Sequence, residues 1–547
     1  MPRAVGWGMA GLGAALLAGA LLGVATQTTL WDRDEPRFAE ATVEMVRSGN
    51  YLYPTFNGAL RPDKPVLIYW LMSIPVRLFG AGEVALRSLA AVGMAIAALA
   101  TYAAGRWLFA PRTGLLAAAV MVTTPLALVE GSAATTDAVL LAWITVGFAA
   151  FVHAFLHGWR PLHGVILVLA FGAGLLTKGP VGLVVPLASI GVAWWLGRGR
   201  TALRPQQIAW IALAAGLGLG LFLAWAIPAN AATGGGLGRE GLGHHTLRRM
   251  QEPLEGHGGP LLLFLPYYLA VVAVGFFPWT LYLCGALSAL GGDRLGGAAR
   301  PLLLGWILPT VVLMTLVATK LPHYVLPIWP ALALAVAATA HAAQRGELDD
   351  RDHRWLRRGA WLAAAAGALL GIALVALPQW LPAPGLGPWA AAAGLIVLAM
   401  TGLAIREQSR GRVGASCLVL LVGMVCFDAI LTGGVLPALD RLKPSPPIAA
   451  TMRARTAPGV PVVTRGYGEP SLVFYLAGRR VRPLPSDDAL VLWAHEPGPG
   501  VLVVPRDVQA RIEARAGSLG LDELVTVHGY NFGNGKWLDL VALSKRN

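Results

Sequence analysis

Residues 31–40 carry two aspartates, two glutamates and two arginines, although only 13% of the whole chain is charged. This stretch follows an apolar run, residues 7–25, that is long enough to cross a bilayer. Charged side chains at a membrane boundary are costly to desolvate and indicate a functional site. We therefore expect the chemistry to lie where the first predicted span ends.

Basic side chains also gather on the side of the membrane that topology assigns to the exterior. The positive-inside rule predicts few lysines and arginines there. Those found are Arg33, Arg37, Arg61, Lys64, Arg239, Arg248, Arg249 and Lys320. Arginine and lysine are the usual partners of phosphate groups, so the pattern predicts a bound anion at the membrane surface.

Carboxylates beside a phosphate site could act in the transfer of a sugar from that phosphate. Displacing a sugar from a phosphate requires stabilisation of the leaving group and a carboxylate that accepts the proton of the attacking hydroxyl. Asp34 is the first candidate for this base, with Glu35 next to it. The apolar spacing of residues 36–47 predicts a helix on the membrane interface, and Pro36 suits its first turn. The simpler alternative is that Asp34 and Glu35 only stabilise the start of that helix.

Other candidates each have a simpler reading. Lys64 could be an interfacial anchor, and Asp137 could be the N-cap of the following span. Asp63, His245 and His257 could together coordinate a zinc ion, or belong to ordinary polar loops. Residues 177–180, Thr-Lys-Gly-Pro, are most simply a tight turn on the outer side, although they could also contact a ligand.

The composition places the chain among membrane proteins. Hydrophobic residues make up 56% of 547 residues, and there are 19 tryptophans. The net charge of +14 arises in short loops between apolar runs, which is typical of an inner membrane protein rather than of nucleic-acid binding. The three cysteines lie within apolar runs, so neither a disulfide framework nor a thiolate metal site is indicated.

Loop charges predict the topology. Fourteen apolar runs are candidates for spans, but the alternation of basic loops requires an even number of crossings between Lys64 and Asp137. Either residues 84–102 or residues 114–129 therefore should not be a full span. We predict about thirteen transmembrane helices within residues 1–437, with a cytoplasmic N-terminus and outer loops at residues 28–63, 130–137 and 228–259.

Residues 438–547 have a different composition. Four prolines punctuate a linker, after which β-rich runs are predicted as strands at residues 460–464, 472–475, 501–504, 524–527 and 537–543. Residues 448–455 and 508–516 are predicted as helices. This pattern indicates a small soluble α/β domain on the outer side, which covers the outer face or helps to bind the acceptor.

Five short motifs in order resemble the bacterial aminoarabinose (lipid A) transferase group, which belongs to the type C glycosyltransferases related to protein O-mannosyltransferases. The motifs are Asp-Glu-Pro-Arg-Phe-Ala-Glu at 34–40, Asp-Lys-Pro at 63–65, Thr-Asp at 136–137, Thr-Lys-Gly-Pro at 177–180 and Lys-Leu-Pro-His-Tyr-Val-Leu-Pro at 320–327. The resemblance covers roughly residues 1–345, and residues 533–537 extend it to the C-terminal domain.

This resemblance implies transfer of a sugar from a polyprenyl-phosphate donor to lipid A or another envelope acceptor, on the periplasmic face of the inner membrane. It implies that Asp34 and Asp137 are catalytic carboxylates, that Lys64 with Arg248 or Arg249 holds the phosphate, and that Tyr324 lines the site. Arg37 and Lys320 are further candidates for substrate binding. We expect a monomer, no nucleic-acid partner and no certain cofactor.

Two departures from the family pattern leave the sugar open. Family members tend to have Phe-Glu-Lys-Pro-Pro where this chain has Pro-Asp-Lys-Pro-Val at 62–66, and an acidic residue before one histidine where this chain has His244 and His245. Galacturonic acid or a neutral hexose are therefore alternatives to 4-amino-4-deoxy-L-arabinose. A flippase or transporter of a lipid-linked sugar, a protein O-mannosyltransferase-like enzyme and a non-catalytic scaffold are the alternative functions.

Overall fold

The computed structural model describes residues 3–198, 204–248, 264 and 266–545, with the side chains of residues 3–5, 242 and 244–248 left undescribed. The helices of the N-terminal part are α1 (Arg3–Ala25), α2 (Asp34–Ser48), α3 (Leu67–Phe79), α4 (Glu83–Leu108), α5 (Pro111–Val122), α6 (Pro125–Ser132), α7 (Asp137–His157), α8 (Pro161–Lys178), α9 (Val181–Leu196), α10 (Pro205–Ala232), α11 (Tyr267–Gly275), α12 (Thr280–Gly291), α13 (Ala299–Leu316), α14 (Trp329–Gln344), α15 (Asp350–Trp380), α16 (Leu386–Ser409), α17 (Val413–Ile430) and α18 (Leu436–Asp440). A π-helix (Leu237–Arg248) follows α10, a 3₁₀ helix (Pro322–Ile328) precedes α14, and a π-helical turn (Leu431–Val435) joins α17 to α18.

Ten helical segments in the described part of the chain are long and apolar enough to cross a membrane. They are α1, α4, α7, α8, α10, α13, α15, α16, the 3₁₀ helix with α14, and α17 with its extension to Asp440. Shorter apolar helices are α3, α9 and α12. The structure thus confirms a polytopic helical membrane protein, while the predicted total of about thirteen spans stays a prediction.

One of the two doubtful runs is continuous and the other is broken. Residues 84–102 lie within the 26-residue helix α4, whereas residues 114–129 divide into α5 and α6, which are bent by 71°. Thr124 caps α6 by accepting a hydrogen bond from the backbone N–H of Ala127. The indole N–H groups of Trp279 and Trp329 donate to the hydroxyls of Thr123 (2.9 Å) and Thr124 (3.1 Å). These bonds hold the bend within the buried core.

Close packing of α4 against α7 fixes the start of α7. A Cβ atom on Gly93 of α4 would lie 2.8 Å from the carbonyl oxygen of Ala138, so only glycine allows this approach. Ala138 directly follows Asp137, the first residue of α7. The helix contact therefore sets the position of the Asp137 backbone.

The C-terminal part forms the predicted α/β domain. Its elements are α19 (Ser445–Arg455), β3 (Val462–Thr464), α20 (Pro470–Tyr475), β4 (Val481–Pro483), α21 (Asp487–His495), β5 (Val501–Pro505), α22 (Arg506–Ala516), β6 (Leu521–Asn531) and β7 (Lys536–Lys545), preceded in the chain by a hairpin of β1 (Thr55–Phe56) and β2 (Ala59–Leu60). The sheet order is β4-β3-β5-β7-β6, in which β3 runs parallel to β4 and β5, and β7 antiparallel to β5 and β6. The predicted strand at residues 472–475 is wrong, because these residues lie in α20.

A polar contact region joins this domain to the first outer loop, and we call it the interdomain joint. It consists of Thr29, Trp31, Asp32, Arg33, Asp440, Lys443, Glu469, Ser471 and Tyr475. Asp32 accepts hydrogen bonds from the backbone N–H and the hydroxyl of Ser471. Burial raises the pKa of Asp32 to about 6, although these hydrogen bonds act in the opposite direction.

Lys443 is the central cation of the interdomain joint. Its ammonium donates to the carbonyl oxygens of Thr29 (2.9 Å) and Leu30 (3.2 Å) and pairs with Asp440 at 2.7 Å. It also lies 3.5 Å from the centroid of the Trp31 ring. Burial lowers the pKa of Lys443 to about 8, against the pull of Asp440.

A second contact links the β1–β2 hairpin to the edge of the sheet. The side-chain amide of Asn57 donates to the carbonyl oxygen of Val481 (2.7 Å) and accepts from the backbone N–H of the same residue (3.0 Å). Asn57 has φ 55° and is followed by Gly58 with φ 78°, the pair of left-handed conformations that a tight hairpin turn requires. The hairpin thus pairs with strand β4 through one side chain.

Candidate active site

A cavity of about 670 Å³ lies between the first outer loop and the ends of several membrane helices. We call it the central cavity. Its ionisable lining residues are Asp32, Arg33, Asp34, Glu35, Arg37, Arg61, Asp63, Lys64, Glu130, Asp137, Lys178, His323 and Tyr324. Apolar side chains of α9, α10 and α13 complete the wall. The structure therefore brings the predicted carboxylates and cations from separate parts of the chain to one cavity.

Asp34 is exposed on the cavity side of the first outer loop. It is the first residue of α2, so its carboxylate lies at the positive end of the helix dipole. The preceding Arg33 holds the cap position and forms no side-chain cap hydrogen bond. A deprotonated carboxylate at this position can accept a proton from a nucleophile in the cavity.

Glu35 differs from its neighbour because its carboxylate is buried and fully engaged. Arg87 of α4 donates to it through Nε (2.8 Å) and Nη2 (2.7 Å). The backbone N–H groups of Trp31 and Ala134 donate to it as well, each at 2.7 Å. Four donors occupy the two oxygens, so these contacts give Glu35 a positioning role, while its predicted catalytic role stays a prediction. It fixes α2, α4 and the loop before α7 relative to one another.

The stretch after the hairpin presents Arg61, Asp63 and Lys64 to the central cavity. Arg61 is buried, donates to the hydroxyl of Tyr69 (3.1 Å) and pairs with Asp63 at 3.3 Å. Its guanidinium also lies 5.2 Å from the centroid of the Phe38 ring in α2. Lys64 donates to the backbone oxygen of Asp63 at 3.3 Å. These contacts hold two cations beside the Asp34 end of α2.

Asp137 forms an ion pair with Lys178 on the opposite wall. The ammonium of Lys178, the last residue of α8, donates to Oδ1 of Asp137 at 2.5 Å, and Asp137 is buried while the Lys178 side chain is 12% exposed. The same ammonium lies 5.2 Å from the centroid of the Tyr324 ring. Asp137 is the first residue of α7 and not its N-cap, which is Thr136. The turn at residues 177–180 therefore contributes a cation to the cavity.

Two ionisable residues of the central cavity were not predicted from sequence. His323, in the motif at residues 320–327, places Nδ1 3.6 Å from Glu130 and Nε2 4.0 Å from Asp137. Glu130 lies in α6 and is 7% exposed. The motif at residues 320–327 gave a signal for His323. No sequence pattern pointed to Glu130, whose position depends on the bend between α5 and α6.

Comparisons with known proteins agree with this arrangement. The family described as Dolichyl-phosphate-mannose-protein mannosyltransferase matches residues 63–227. An undecaprenyl phosphate-alpha-4-amino-4-deoxy-L-arabinose arabinosyl transferase of Pectobacterium carotovorum is 29% identical over 424 residues, 75% of this chain and 72% of that protein. The corresponding transferase 1 of Sodalis glossinidius is 30% identical over 436 residues, 74% of this chain and 73% of that protein.

The chain belongs to the undecaprenyl phosphate-aminoarabinose arabinosyltransferase family. It is thus an integral membrane glycosyltransferase. The crystal structure of ArnT from Cupriavidus metallidurans bound to undecaprenyl phosphate superimposes with a TM-score of 0.79 over 98% of both chains, at 19% sequence identity. This likeness shows that the arabinosyltransferase fold extends through the C-terminal domain.

In this arabinosyltransferase, Lys320 is not where the sequence led us to expect it. It does not line the central cavity and instead donates to the carbonyl oxygens of Met314 (3.3 Å), Thr315 (2.5 Å) and Val317. These carbonyls end helix α13, where an ammonium is favoured by the negative end of the dipole. Burial lowers the pKa of Lys320. Lys320 therefore caps α13, while its predicted role in substrate binding stays a prediction.

Four residues of the predicted arabinosyltransferase site lie in the π-helix that follows α10 or beyond it in the chain. Arg249 and His257 lie outside the described residues, and the side chains of His245 and Arg248 are likewise outside the described set. Within the described residues, no group of three His, Cys, Asp or Glu side chains could hold a metal ion. Of the predicted zinc ligands, Asp63 is described and pairs with Arg61 at 3.3 Å.

Proposed function

We propose that the chain transfers 4-amino-4-deoxy-L-arabinose from undecaprenyl phosphate to lipid A or another envelope acceptor. The names of the relatives give the donor class. The observation that carries the proposal is the joint lining of one cavity by Asp34, Asp137 and Lys64. Carboxylates facing cations beside an apolar wall suit a lipid-linked phosphate sugar, whose tail is apolar and whose headgroup is charged.

The cations of the central cavity provide for the phosphate of the donor. Lys64 and Arg37 both line the cavity on the side of α2. Lysine and arginine stabilise the negative charge that grows on the phosphate as the bond to the sugar breaks. Arg248 and Arg249 stay predicted partners of the same group. None of these steps requires a metal ion.

Asp34 is the general base in this proposal. An acceptor oxygen attacks C1 of the sugar and forms the new C–O bond, while the bond from C1 to the phosphate oxygen breaks and undecaprenyl phosphate leaves with the electron pair. The proton of the acceptor passes to the carboxylate of Asp34. One carboxylate base opposite a phosphate leaving group favours single displacement with inversion at C1.

Asp137, Lys178 and Tyr324 hold the opposite side of the site. The ion pair of Asp137 with Lys178 keeps both charges buried, and the Tyr324 ring lies next to the ammonium. Their hydrogen-bonding groups are placed to orient sugar hydroxyls. We assign Asp137 and Tyr324 to the binding of the sugar and Lys178 to both the sugar and the phosphate charge.

The proposal includes the membrane, the orientation and the oligomeric state of the enzyme. The enzyme is an inner-membrane protein whose central cavity and C-terminal domain face the periplasm, and it acts as a monomer. The distribution of arginines in the loops supports this orientation, because Arg345 to Arg358 and Arg406 to Arg412 lie at the helix ends remote from Asp34 in the predicted topology. A cysteine-accessibility scan of single-cysteine variants in these loops tests the orientation.

Reconstituted transfer tests the function directly. Purified full-length protein in proteoliposomes is incubated with undecaprenyl phosphate-aminoarabinose and lipid A, and the products are analysed by mass spectrometry. A gain of one aminoarabinose mass is expected for the wild-type enzyme. A Lys64→Ala variant that binds less donor and gives no such gain would agree with the assigned phosphate contact. A folded wild-type protein that transfers no sugar contradicts the proposal.

A zinc ion bound by Asp63, His245 and His257 stays a prediction. Transfer by the purified enzyme before and after dialysis against a chelator tests it, with zinc content measured in both samples. Activity that falls with the zinc content and returns on zinc addition would support the site. Unchanged activity in zinc-depleted enzyme would rule out a requirement for it.

A further inference from the structure

Glu130 is a buried carboxylate in the central cavity that the mechanism does not use. It is 7% exposed and lines the cavity from α6. Its Oε2 accepts a hydrogen bond from the hydroxyl of Thr135 at 3.3 Å. Its Oε1 lies 3.6 Å from Nδ1 of His323, which is beyond hydrogen-bond distance. One oxygen of a buried carboxylate thus retains its capacity to accept hydrogen bonds inside the cavity.

The other buried carboxylates of the cavity each have a cationic partner. Glu35 pairs with Arg87 at 2.7 Å, and Asp137 pairs with Lys178 at 2.5 Å. Among the residues described, no lysine or arginine forms an ion pair with Glu130 within 4 Å, although Lys178, the partner of Asp137, also acts on it electrostatically. Burial favours the neutral form of such a carboxyl group, and a cation supplied by a ligand stabilises the charged form.

The bend between α5 and α6 brings Glu130 to the central cavity. The break between α5 and α6 turns the chain by 71°, and the tryptophan hydrogen bonds to Thr123 and Thr124 hold that bend. The result is a short helix that carries Glu130 to the wall of the cavity, next to His323. A straight span would carry this side chain past the site, so the bend has a direct consequence for the ligand.

We propose that Glu130 binds the protonated amino group of the donor sugar and thereby selects an amino sugar over neutral and acidic sugars. This inference rests on the proposed function. An ammonium group donates a charge-assisted hydrogen bond to Oε1 and neutralises the buried carboxylate. A hydroxyl at the same position supplies no charge to stabilise the carboxylate, and a uronic acid would bring a further negative charge beside Asp137. The class of sugar left open by the sequence is thus an aminosugar.

Two donors that differ in one group test the proposal. Full-length enzyme in proteoliposomes is given undecaprenyl phosphate carrying either 4-amino-4-deoxy-L-arabinose or L-arabinose, with lipid A as acceptor. Wild-type enzyme is expected to prefer the amino donor. Glu130→Gln should lower kcat/KM for the amino donor by about 100-fold, the effect expected when one member of a buried charge pair is removed. It should change kcat/KM for the arabinose donor by less than about threefold.

Control variants separate binding from folding. Glu347→Gln makes the same chemical change at a half-exposed position that pairs with Arg345, and it should alter neither donor. Glu130→Asp keeps the charge and should keep the preference for the amino donor, which provides a second readout if Glu130→Gln does not fold.

The outcomes distinguish this inference from the proposed function. Suppose that the wild-type enzyme transfers the amino donor. If Glu130→Gln then lowers transfer of both donors equally, or lowers neither, the role of Glu130 is overturned and the proposed function stands. A Glu130→Asp enzyme without the preference also overturns it. Wild-type enzyme that transfers neither sugar overturns the proposed function, and the inference with it.

Discussion

The interdomain joint and the central cavity are built from the same short stretch of chain, yet they use its charges differently. In the joint, Asp32 accepts two hydrogen bonds from Ser471, and Lys443 contacts two carbonyls, a carboxylate and an aromatic ring. In the cavity, Asp34 is exposed and Glu130 keeps one oxygen available. Asp32 and Lys443 of the joint are thus engaged by partners within the protein, whereas Asp34 and Glu130 keep hydrogen-bonding capacity toward the cavity.

This difference separates structural charges from chemical ones. A charged residue whose hydrogen-bonding capacity is filled by the protein stabilises the fold. A charged residue that retains capacity toward a cavity can act on a ligand. Asp32 and Asp34 are two residues apart, and Glu35 follows directly, so charge density alone could not assign these roles.

The strongest test of this difference replaces one carboxylate of the central cavity and one of the interdomain joint by the corresponding amides. Asp34→Asn should lower the transfer rate by about 10³-fold, because it removes the base without changing the volume of the side chain. Asp32→Asn should keep the rate within about threefold, since both carboxylate oxygens of Asp32 accept hydrogen bonds from Ser471, even though the residue also lines the cavity. Both rates are measured in the reconstituted assay. An active Asp34→Asn enzyme would remove the proposed mechanism.

Replacing Glu35, whose carboxylate oxygens are filled by donors from the protein, should lower the stability of the fold. Glu35→Gln leaves the buried guanidinium of Arg87 without its counter-charge and should destabilise the protein by about 3 kcal/mol. Thermal unfolding in detergent measures the loss, with Glu347→Gln as the exposed control. If Glu35→Gln instead keeps its melting temperature and loses activity, Glu35 is catalytic and the positioning role is wrong.

Lys178 and Lys320 allow the same test within the membrane domain, because one lies in the cavity and the other caps a helix. Lys178→Ala should lower kcat/KM by roughly 30-fold, since it removes a cation that pairs with Asp137 in the cavity. Lys320→Ala should lower the melting temperature and leave kcat/KM within about twofold, because it removes the cap of α13. Equal losses of activity in both variants would contradict the separate roles.

The smallest expected effect concerns pH and the interdomain joint. The pKa of Asp32 is raised to about 6 in the folded protein, so its protonated form is favoured there. Its contribution to stability is therefore fully present below the ordinary aspartate pKa of 3.8 and is lost as the pH rises through about 6. The melting temperature should fall between pH 5 and pH 7, and less so in Asp32→Asn. Identical profiles for the two proteins would exclude Asp32 as the titrating group.

The sequence predicted the parts of this structure that follow from local pattern. Helix α2 begins beside Pro36, and the short motifs containing Asp34, Lys64 and Asp137 do converge at one cavity. Such motifs mark helix ends, and the alternation of basic loops assigns those ends to a common face. The α/β character of the C-terminal domain also follows from composition.

The failures arose where long-range contacts decide the outcome. Residues 472–475 are apolar and β-prone, but Pro470 begins a helix there, while the short strand β4 has two exposed residues and gives no strand pattern. Lys178 is the last residue of α8 and Lys320 follows the end of α13, in similar motifs. Only the three-dimensional structure shows that Lys320 reaches back to the carbonyls of α13 and that Lys178 reaches Asp137.

The hairpin contact between Asn57 and Val481 bears on how this enzyme can be engineered. The loop that supplies Asp34 and Lys64 is bonded to the outer sheet at strand β4 as well as through Ser471. A chimera that takes its membrane part from one homologue and its outer part from another must therefore import both surfaces of this contact together. Recombination points placed between residues 440 and 445 would divide them and displace the loop on which the chemistry depends.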